Sequence, residues 1–419
     1  MLPHILEFAP ERDAEVFAAA PAAPAVFLLR GEAGEPYVSK TANLRRRLLR
    51  LLGESPQHSR RLTLRDRARR IEYALSGSDF ESGLLLYKVL RREFPHSYRD
   101  RLRLRPPPLV KLHLDNRYPR ASITTQLGSG RGRNVYYGPF ASRAAAEKFT
   151  NDALDFFKMR RCVDDLNPDP AFPGCIYSEM KMCLAPCFQG CTDEEYAGEV
   201  GRVQAFFDSR GQSLARELAV LRDRASQQLA FEEAASIHSR LEKLQPVLAQ
   251  LPEITRRLDR LHALIIQPSA EPDSVTLFRV DAGCLSDPIP FRVAAQTEPA
   301  ASPTELASPA KHVSMEARVS EALAAIPPAR CPSRTEAAEH LGLLKRWYFR
   351  SSKAGEIFFA GDDGELPMRR IVRGIGRVFR GEKPAPDLNE SARDYWINRG
   401  KEAELNSAPM NADPGKSGI

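Results

Sequence analysis

The sequence lacks long apolar runs, and this excludes one class of protein at the outset. No stretch approaches the about 18 consecutive apolar residues that indicate a membrane-spanning helix. The N-terminus, MLPHILEFAPERDAE, has neither the basic start nor the apolar core of a secretory signal. Internal repeats are also absent. With 419 residues, 42% hydrophobic and 27% charged, the chain is expected to form two or three globular domains in the cytoplasm, with no membrane partner.

Positive charge is concentrated in one part of the chain. Residues 40–105 contain 18 lysines and arginines against 7 aspartates and glutamates, an excess larger than the net charge of +7 on the whole chain. The remaining residues are therefore mildly acidic. Such a local excess is typical of a surface that binds a polyanion such as nucleic acid. A solvated arginine-rich face is the alternative interpretation.

Cysteine is the second residue with an uneven distribution. Five of the seven cysteines fall within 30 residues, whereas Cys284 and Cys331 stand apart. In a cytoplasmic protein, clustered thiols favour a metal or iron–sulfur site over disulfides. The clustered cysteines are Cys162, Cys175, Cys183, Cys187 and Cys191.

Apolar periodicity predicts an α+β protein with several successive parts. Residues 25–29 are typical of a buried strand, and residues 81–92 of a helix that ends before Pro95. Two apolar stripes between residues 213 and 244 predict a helical hairpin that turns near residues 228–231. The predicted parts are a small α/β domain (20–105), a connecting α/β and cysteine-cluster region (106–200), the helical hairpin (201–251), a small mixed α/β region (252–380) and a disordered tail (381–419).

Four motifs resemble one family when they are taken in order. The segment APAVFLLRGEAGEPYVSKTANLRRRLL (23–49) resembles the start of a GIY-YIG nuclease domain, in particular that of the UvrC excinucleases and their shorter Cho-type relatives. YYGPF (136–140) and the cysteine block resemble segments that follow in that family. LAFEEAA (229–235) resembles the UVR motif, the hairpin by which UvrC meets UvrB. The resemblance covers residues 22–250, so we expect a GIY-YIG-like domain and a UVR-like hairpin.

The resemblance implies roles for residues of the first domain. In the family, the tyrosine of the first strand is held to be the general base, and an arginine on the first helix contacts the phosphate. By position, Arg47 is that arginine, Tyr37 is the tyrosine of the second strand, and Lys40 also matches. The first-strand tyrosine is replaced by Phe27, and the glycine of the second strand by Ser39.

The metal position is replaced as well. The family's metal-binding glutamate falls on Leu86, while Glu81 and Glu93 lie too far round or along the helix to take its place. Phenylalanine accepts no proton and leucine binds no Mg²⁺, so we expect incision to be weakened or lost. Mg²⁺ is expected as a cofactor only if the nuclease site is active. The residues expected to contact DNA phosphates are Lys40, Arg45, Arg46, Arg47 and Arg50.

A cofactor and a protein partner are also implied by the resemblance. Cys162, Cys175, Cys183 and Cys187 occupy the places of four cysteines that UvrC associates with a [4Fe–4S] cluster. Four thiolates equally suit zinc, which is the alternative. In the hairpin, Phe231, Glu232 and Glu233 are the expected contacts with a UvrB-like protein. A packed core hairpin is the alternative, and His238-Ser239 stands where the family has an Arg-Asp pair.

Three functional hypotheses follow from these residues. The first is a nucleotide-excision repair protein that binds DNA and UvrB and has little or no incision activity. The second is an active Cho-like endonuclease that makes a metal-dependent cut in damaged DNA with Tyr37, Arg47 and Glu81. The third is the detached part of an exonuclease fusion family with UvrC-like segments. The ribonuclease-H-like half of UvrC has no counterpart in residues 260–419, which resembles the shorter Cho form.

Overall fold

The chain forms two compact units in the computed structural model, which describes residues 2–54, 64–130, 132–163, 166–294 and 314–384. The first unit combines residues 2–107, 125–128 and 259–384, and the second combines residues 108–124 and 129–258. The predicted part 20–105 and residues 259–380 of the predicted part 252–380 thus belong to one unit, whereas residues 252–258 belong to the second. Most of the predicted disordered tail, 381–419, lies outside the described residues.

The N-terminal part of the first unit is built on a four-stranded antiparallel sheet. Its strand order is β1-β4-β2-β3. The strands are β1 (His4–Glu7), β2 (Ala25–Gly31), β3 (Tyr37–Thr41) and β4 (Ala68–Leu75), and the helices are α1 (Asp13–Ala19), α2 (Leu44–Leu52), α3 (Asp79–Glu93) and α4 (Tyr98–Leu102).

Strand β2 is buried on both faces, as its continuous apolar run predicts. Side chains alternate along a strand, so Phe27 and Leu29 pack with α1 and α2. Val26 and Leu28 point the other way and pack with α3. The hydroxyl of Ser78 accepts the amide of residue 81 and caps α3, which confirms the helix predicted at 81–92.

The second unit consists of a smaller antiparallel sheet and a group of helices. The sheet has the order β6-β5-β7-β8. Its strands are β5 (Leu109–Leu112), β6 (Ala121–Thr124), β7 (Val135–Gly138) and β8 (Arg256–Arg257), and the helices of the unit are α5 (Arg143–Leu154), α6 (Ile176–Glu179), α7 (Asp193–Asp208), α8 (Gln212–Gln227) and α9 (Phe231–Ala249).

A cluster of aromatic side chains forms the core of the second unit. Phe149 of α5 packs against Phe206 and Phe207 of α7, with ring centroids 6.4 and 5.9 Å apart. Burial of each such ring contributes about 1.5–3 kcal/mol, so these contacts join the two helices firmly. Helices α8 and α9 form the predicted hairpin, which turns at residues 228–230. Its open end packs on the same core through Leu214 and Leu244.

The C-terminal part of the first unit is a five-stranded antiparallel sheet with three helices. The order is β11-β10-β9-β13, and β12 also pairs with β10. The strands are β9 (Ala263–Pro268), β10 (Ser274–Asp281), β11 (Cys284–Leu285), β12 (Ile289–Arg292) and β13 (Glu356–Phe359), and the helices are α10 (Met315–Ala325), α11 (Arg334–Tyr348) and α12 (Met368–Phe379). The predicted α+β class is confirmed.

Helix α11 carries several of the contacts between the two parts of the first unit. The ring of Trp347 lies 5.1 Å from that of Phe80 at the start of α3. The buried carboxylate of Glu339 accepts hydrogen bonds from the hydroxyls of Tyr87 and Tyr98, at 2.8 and 2.7 Å. Arg99 donates to the same carboxylate at 2.6 Å.

Two further observations concern the whole described chain. A disulfide joins Cys284 and Cys331, whose Cα atoms are 5.8 Å apart, although their sequence positions had shown no pairing. None of the described helices combines the length and the apolar composition needed to cross a membrane.

Candidate functional site

Three of the residues assigned to the nuclease-like site lie together on one face of the first sheet. The guanidinium of Arg47 donates to the hydroxyl of Tyr37 at 2.8 Å. The ring of Phe27 lies 6.1 Å from that of Tyr37 and is fully buried. The register places Phe27 opposite Ser39, and the Asn43 side chain caps α2 so that Arg47 lies in its first turn. The structure therefore brings these three positions together, and their roles in a nuclease-like site stay predictions.

Leu86, at the family's metal position, lies on the opposite face of the sheet. Like Val38, it packs against a cluster that contains Val26 and Leu28. Phe27 and Leu28 are neighbours in β2, so their side chains point to opposite faces. The structure therefore does not bring Leu86 to the Tyr37–Arg47 pair.

The carboxylates considered as replacements have other partners. Glu81 accepts the amide of Gly77 at 2.8 Å, and burial raises its pKa. Glu93 accepts from Arg30 at 3.2 Å. Neither carboxylate is bonded to the Tyr37–Arg47 pair.

A carboxylate that the sequence analysis overlooked lies beside Tyr37. Glu35 and Tyr37 both line a cavity of about 340 Å³, together with the exposed Arg67. The carboxylate of Glu35 is largely exposed and accepts from Arg101 at 2.7 Å. Its position two residues before Tyr37, in the turn between β2 and β3, is a signal that the sequence already contained.

The five cations expected to contact DNA divide into two groups. Lys40 forms an ion pair with Asp79, and Arg45 donates to the backbone carbonyls of residues 20 and 18, at 2.8 and 3.1 Å. Arg47 donates to Tyr37, as described above. Arg46 and Arg50 are exposed and have no ion-pair partner among the residues that the structure describes. These two guanidiniums have none of the contacts described for the other three.

The four cysteines predicted as ligands are neighbours in the second unit. Burial, followed by the proximity of Cys162, Cys187 and Cys175, raises the pKa of Cys183 to about 11. The sulfur of Cys162 accepts from the buried Arg160 at 3.3 Å, and that of Cys183 accepts from a backbone amide at 3.3 Å. Cys175 precedes α6, and its backbone amide donates to the hydroxyl of Ser178 at 2.9 Å.

The sulfurs of these cysteines are not arranged as the ligands of a metal ion in the described structure. Within the described parts of the chain, no three histidine, cysteine, aspartate or glutamate side chains are grouped closely enough to hold a metal ion. All four thiols are free and half-buried. Their chemistry suits a soft metal or a cluster, so the ligand set stays a prediction.

The hairpin exposes apolar side chains at its turn. Phe231 is 65% exposed and Leu229 is 73% exposed, whereas Leu218 of the same apolar stripe as Leu229 is buried. Glu232 and Glu233 are exposed beside Phe231. The alternative of a hairpin packed into a core therefore fits its open end and does not fit its turn.

Comparisons with known proteins agree with the order of these parts. The family model of the UvrC/Cho excinuclease middle domain matches residues 108–206. This match covers β5–β7, α5, the cysteine block and most of α7.

Curated relatives match a longer part of the chain. The UvrABC system protein C of Rickettsia bellii is 29% identical over 255 residues, 59% of this chain and 39% of that protein. Those of Sphingopyxis alaskensis and Alcanivorax borkumensis are each 30% identical over 54% of this chain, and over 34% and 37% of their own lengths. The chain thus spans less than two fifths of the relatives that it matches. No solved structure matches it.

Proposed function

We propose that this chain, which is UvrC-like over about half of its length, works in DNA repair of the nucleotide-excision type. In this proposal it binds DNA through the α2 surface and a UvrB-like protein through the turn of the hairpin. Its own incision activity is weak or lost. The observation that carries the proposal is the Tyr37–Arg47 contact, retained beside a buried phenylalanine ring.

The chemistry of phosphodiester cleavage supports the loss of incision. The reaction needs a group that accepts a proton from water and a metal that neutralises charge in the transition state. Phe27 supplies no acceptor, and Leu86 is packed among aliphatic side chains. Loss of a general base alone lowers the rate by about 10²–10⁴.

A nicking assay tests this part of the proposal. The chain is mixed with lesion-bearing duplex DNA, UvrB and Mg²⁺, and the products are compared with those of the Arg47→Ala variant. We expect no cleavage above background from either protein. Robust Mg²⁺-dependent cleavage that disappears with Arg47→Ala would overturn it.

An active endonuclease is the second candidate, and one observation favours it. The carboxylate of Glu35 lies at the cavity that Tyr37 lines, where it could hold a divalent ion if its bond to Arg101 were released. The same nicking assay decides between the two candidates. If the second is correct, Glu35→Gln abolishes cleavage, whereas Glu32→Gln, a change at another exposed carboxylate of the same turn, preserves it.

DNA binding is proposed for the exposed arginines of α2. Arg46 and Arg50 project from the same helix and are exposed, so each can replace counterions on a phosphate. Fluorescence anisotropy with labelled duplex DNA is measured over a range of salt concentrations. The double variant Arg46→Gln/Arg50→Gln should reduce the slope of log K against log salt by about 2. Arg216→Gln, at an exposed arginine of α8, is the control.

Partner binding is proposed for the exposed turn of the hairpin. Phe231 and Leu229 together present apolar surface next to two glutamates, which is typical of the anchor and rim of a protein interface. Phe231→Ala should weaken binding to purified UvrB at least tenfold in calorimetry, because a buried aromatic anchor contributes more than about 1.4 kcal/mol. Phe379→Ala, at a 43% exposed ring of the first unit, is the control. Equal affinity of both variants would contradict the proposed surface.

A cofactor is proposed for the cysteine block. The group would be a [4Fe–4S] cluster, with zinc as the alternative, and its ligands would be Cys162, Cys175, Cys183 and Cys187. Its role would be structural, because it would hold together the segment that contains these cysteines. If the cluster is present, the purified protein should be brown and absorb at about 400 nm. Cys183→Ser should lose the iron, and the nearby Cys191→Ser should keep it. A colourless protein with one zinc would favour the alternative, and a metal-free protein would contradict both.

A further inference from the structure

Helix α12 presents a row of arginines that none of the proposed sites uses. The helix has the sequence MRRIVRGIGRVF, with four arginines and no acidic residue, and a fifth arginine directly follows it. At about 100° per residue, all five side chains start within an arc of about 100° on one side of the helix, and the row is about 16 Å long. The five residues are Arg369, Arg370, Arg373, Arg377 and Arg380.

The opposite side of α12 is buried in the C-terminal part of the first unit. Ile371, Ile375 and Val378 are at most 6% exposed and pack in one cluster with Leu264 and Phe358 of the sheet. Basic amphipathic helices that bind lipid insert their apolar side into the membrane surface. Because the apolar side of α12 belongs to the protein core, the arginine side is the part of the helix that faces a partner.

Two of the five arginines have carboxylate partners. Arg377 donates two hydrogen bonds to the carboxylate of Glu356, each at 2.7 Å. Arg380 pairs with Glu382, just after the helix. These two pairs neutralise part of the charge at the C-terminal end of the row.

The other three arginines keep their charge. Arg369, Arg370 and Arg373 are exposed and have no ion-pair partner among the residues that the structure describes. The guanidinium of Arg370 lies over the ring of Phe358, 6.0 Å from its centroid. Arg369 and Arg373 are four positions apart, so they are neighbours on the helix surface, about 6 Å apart along its axis. Three carboxylates within residues 362–365 precede the helix and bound the row at its N-terminal end.

The row also contains a glycine that core packing does not explain. Gly376 lies about one turn from Arg373 and Arg380, on the arginine side. A methyl group at Gly376 would first meet the guanidinium of Arg380 at 3.2 Å, whereas at Gly374 it would meet the ring of Phe358 at 2.4 Å. Glycine weakens a helix relative to alanine, so its presence at 376 has a cost that packing does not offset. It leaves the backbone open between two arginines, where a ligand can approach closely.

The chemistry of the row fits the backbone of a nucleic acid strand. One strand of DNA carries a phosphate about every 3.4 Å along the helix axis, so a row of about 16 Å faces about five phosphates. All the cations of the row are arginines, and a guanidinium can donate two parallel hydrogen bonds to one phosphate. A single small anion would engage only one or two of them.

We propose that the arginine side of α12 binds the phosphate backbone of DNA, with Arg369 and Arg373 as its main contacts and without reading the base sequence. It is a second DNA surface, on a different helix from the α2 surface. The choice of DNA as the polyanion rests on the proposed repair function, whereas the arginine row itself does not.

The test is fluorescence anisotropy with the full chain over a range of salt concentrations. The probes are a labelled single-stranded oligonucleotide and a labelled duplex. Arg369→Gln/Arg373→Gln should reduce the slope of log K against log salt by about 2, because two phosphate contacts are lost. Arg369→Lys/Arg373→Lys keeps both charges and should keep the slope. Arg330→Gln/Arg334→Gln, at two exposed arginines that are also four positions apart, is the control and should match wild type.

The two DNA probes identify the form that is bound. A loss of slope with the single-stranded probe alone supports an unpaired strand as the ligand, and a loss with the duplex supports paired DNA. An unchanged slope for Arg369→Gln/Arg373→Gln with both probes would overturn the proposal, as would an equal loss in the control. Binding to vesicles of anionic phospholipid that this variant abolishes, with DNA binding unchanged, would also overturn it.

The α2 variant separates this inference from the proposed function. If Arg46→Gln/Arg50→Gln keeps the slope of wild type and Arg369→Gln/Arg373→Gln lowers it, the α2 surface is wrong and the α12 surface stands. The reverse result overturns the α12 surface alone. If both surfaces bind, the variant with all four changes should lose about 4 from the slope. Equal urea midpoints of the variants and wild type show that contacts, and not the fold, are lost.

Discussion

The buried carboxylate of Glu339 provides a quantitative test of how the first unit is held together. This side chain is 3% exposed and accepts from Tyr87 on α3 and Tyr98 on α4. Arg99 also donates to it, but the Arg99 side chain is 55% exposed, so water screens its attraction. The two tyrosine bonds therefore supply most of the stabilisation.

The expected effect of Glu339→Gln follows from these bonds. A hydrogen bond to a charged group contributes about 1.5–3 kcal/mol, and a neutral one about 0.5–1.5 kcal/mol. Each tyrosine bond should thus weaken by about 1 kcal/mol, and the first unit should lose about 2 kcal/mol. With a urea m-value of about 2 kcal/mol per molar, the midpoint should fall by about 1 M.

Tryptophan fluorescence reports this loss directly. Trp347 is buried in the same helix, α11, and the only other tryptophan, Trp396, can be replaced by phenylalanine in every protein compared. Urea titrations of wild type, Glu339→Gln and the control Glu321→Gln, an exposed residue of α10, then follow one probe. An unchanged midpoint for Glu339→Gln would refute the assigned role of its hydrogen bonds.

The same variant predicts a dependence on pH. Burial alone would raise the pKa of Glu339, but hydrogen bonds from Tyr98, Tyr87 and Arg99 outweigh it and hold this pKa below the ordinary range. Because this pKa is lower in the folded state than in the unfolded state, the ionised carboxylate stabilises the fold. The stabilisation is complete at pH values well above the unfolded-state pKa of about 4.3. The difference between wild type and Glu339→Gln should be complete at pH 7 and shrink as the pH falls through the lowered pKa.

Three further predictions concern other contacts. Gly77→Ala would place a methyl carbon 2.2 Å from a backbone carbonyl oxygen and should therefore destabilise the first unit. At Gly83 no atom lies within 4 Å of the added methyl group, so Gly83→Ala should stabilise α3 by up to about 1 kcal/mol. Thermal melts of the two variants test both expectations. Replacing Cys284 and Cys331 by serine opens a 47-residue loop, and should cost about 4 kcal/mol in denaturation. Thiol titration of the unfolded wild type should find five thiols before reduction and seven after. Gly211→Ala forces a side chain into φ +86° and places its methyl carbon 2.0 Å from the side chain of Leu248, so it should cost more than the about 1–2 kcal/mol of the backbone strain alone, as measured by thermal melts.

Local patterns predicted the elements of the fold well. The apolar run at residues 25–29 became β2, and the helix predicted at 81–92 became α3 with its serine cap. The turn of the hairpin also lies where its two stripes meet, at residues 228–230. These signals come from neighbours in the chain, so one sequence is enough to recognise them.

Contacts between distant residues could not be predicted in this way. Tyr87 and Glu339 are 252 positions apart, and neither periodicity nor composition connects them. The apolar stripe of α8 shows the same limit. Leu218 and Leu221 belong to one stripe, yet Leu218 is buried and Leu221 is exposed. A stripe shows which face is apolar, and only the fold shows whether the chain covers that face.

The candidate site was predicted in part for the same reason. Strand pairing and a helix cap bring Tyr37 and Arg47 together, and both are local features. The position of Leu86 depends on how α3 packs on the sheet, which the alignment of residues did not include. Glu35 was overlooked because it resembles nothing in the family pattern, although its place in the turn beside Tyr37 was visible.

The two apolar replacements in the nuclease-like domain share one structural consequence. Phe27 is fully buried between the sheet and α2, and Leu86 completes a cluster on the α3 face. A hydroxyl restored at residue 27 would have to find a partner in an apolar core or lose about 1–3 kcal/mol, and a carboxylate at residue 86 would have to be desolvated or turn outward. Each restoration would thus weaken packing on its own face of the sheet. Arg46 and Arg50, by contrast, are exposed, so keeping their charges does not disturb the packing of either core. The two exposed arginines of the proposed DNA surface and the packing of the two cores therefore place no opposing demands on the same residues.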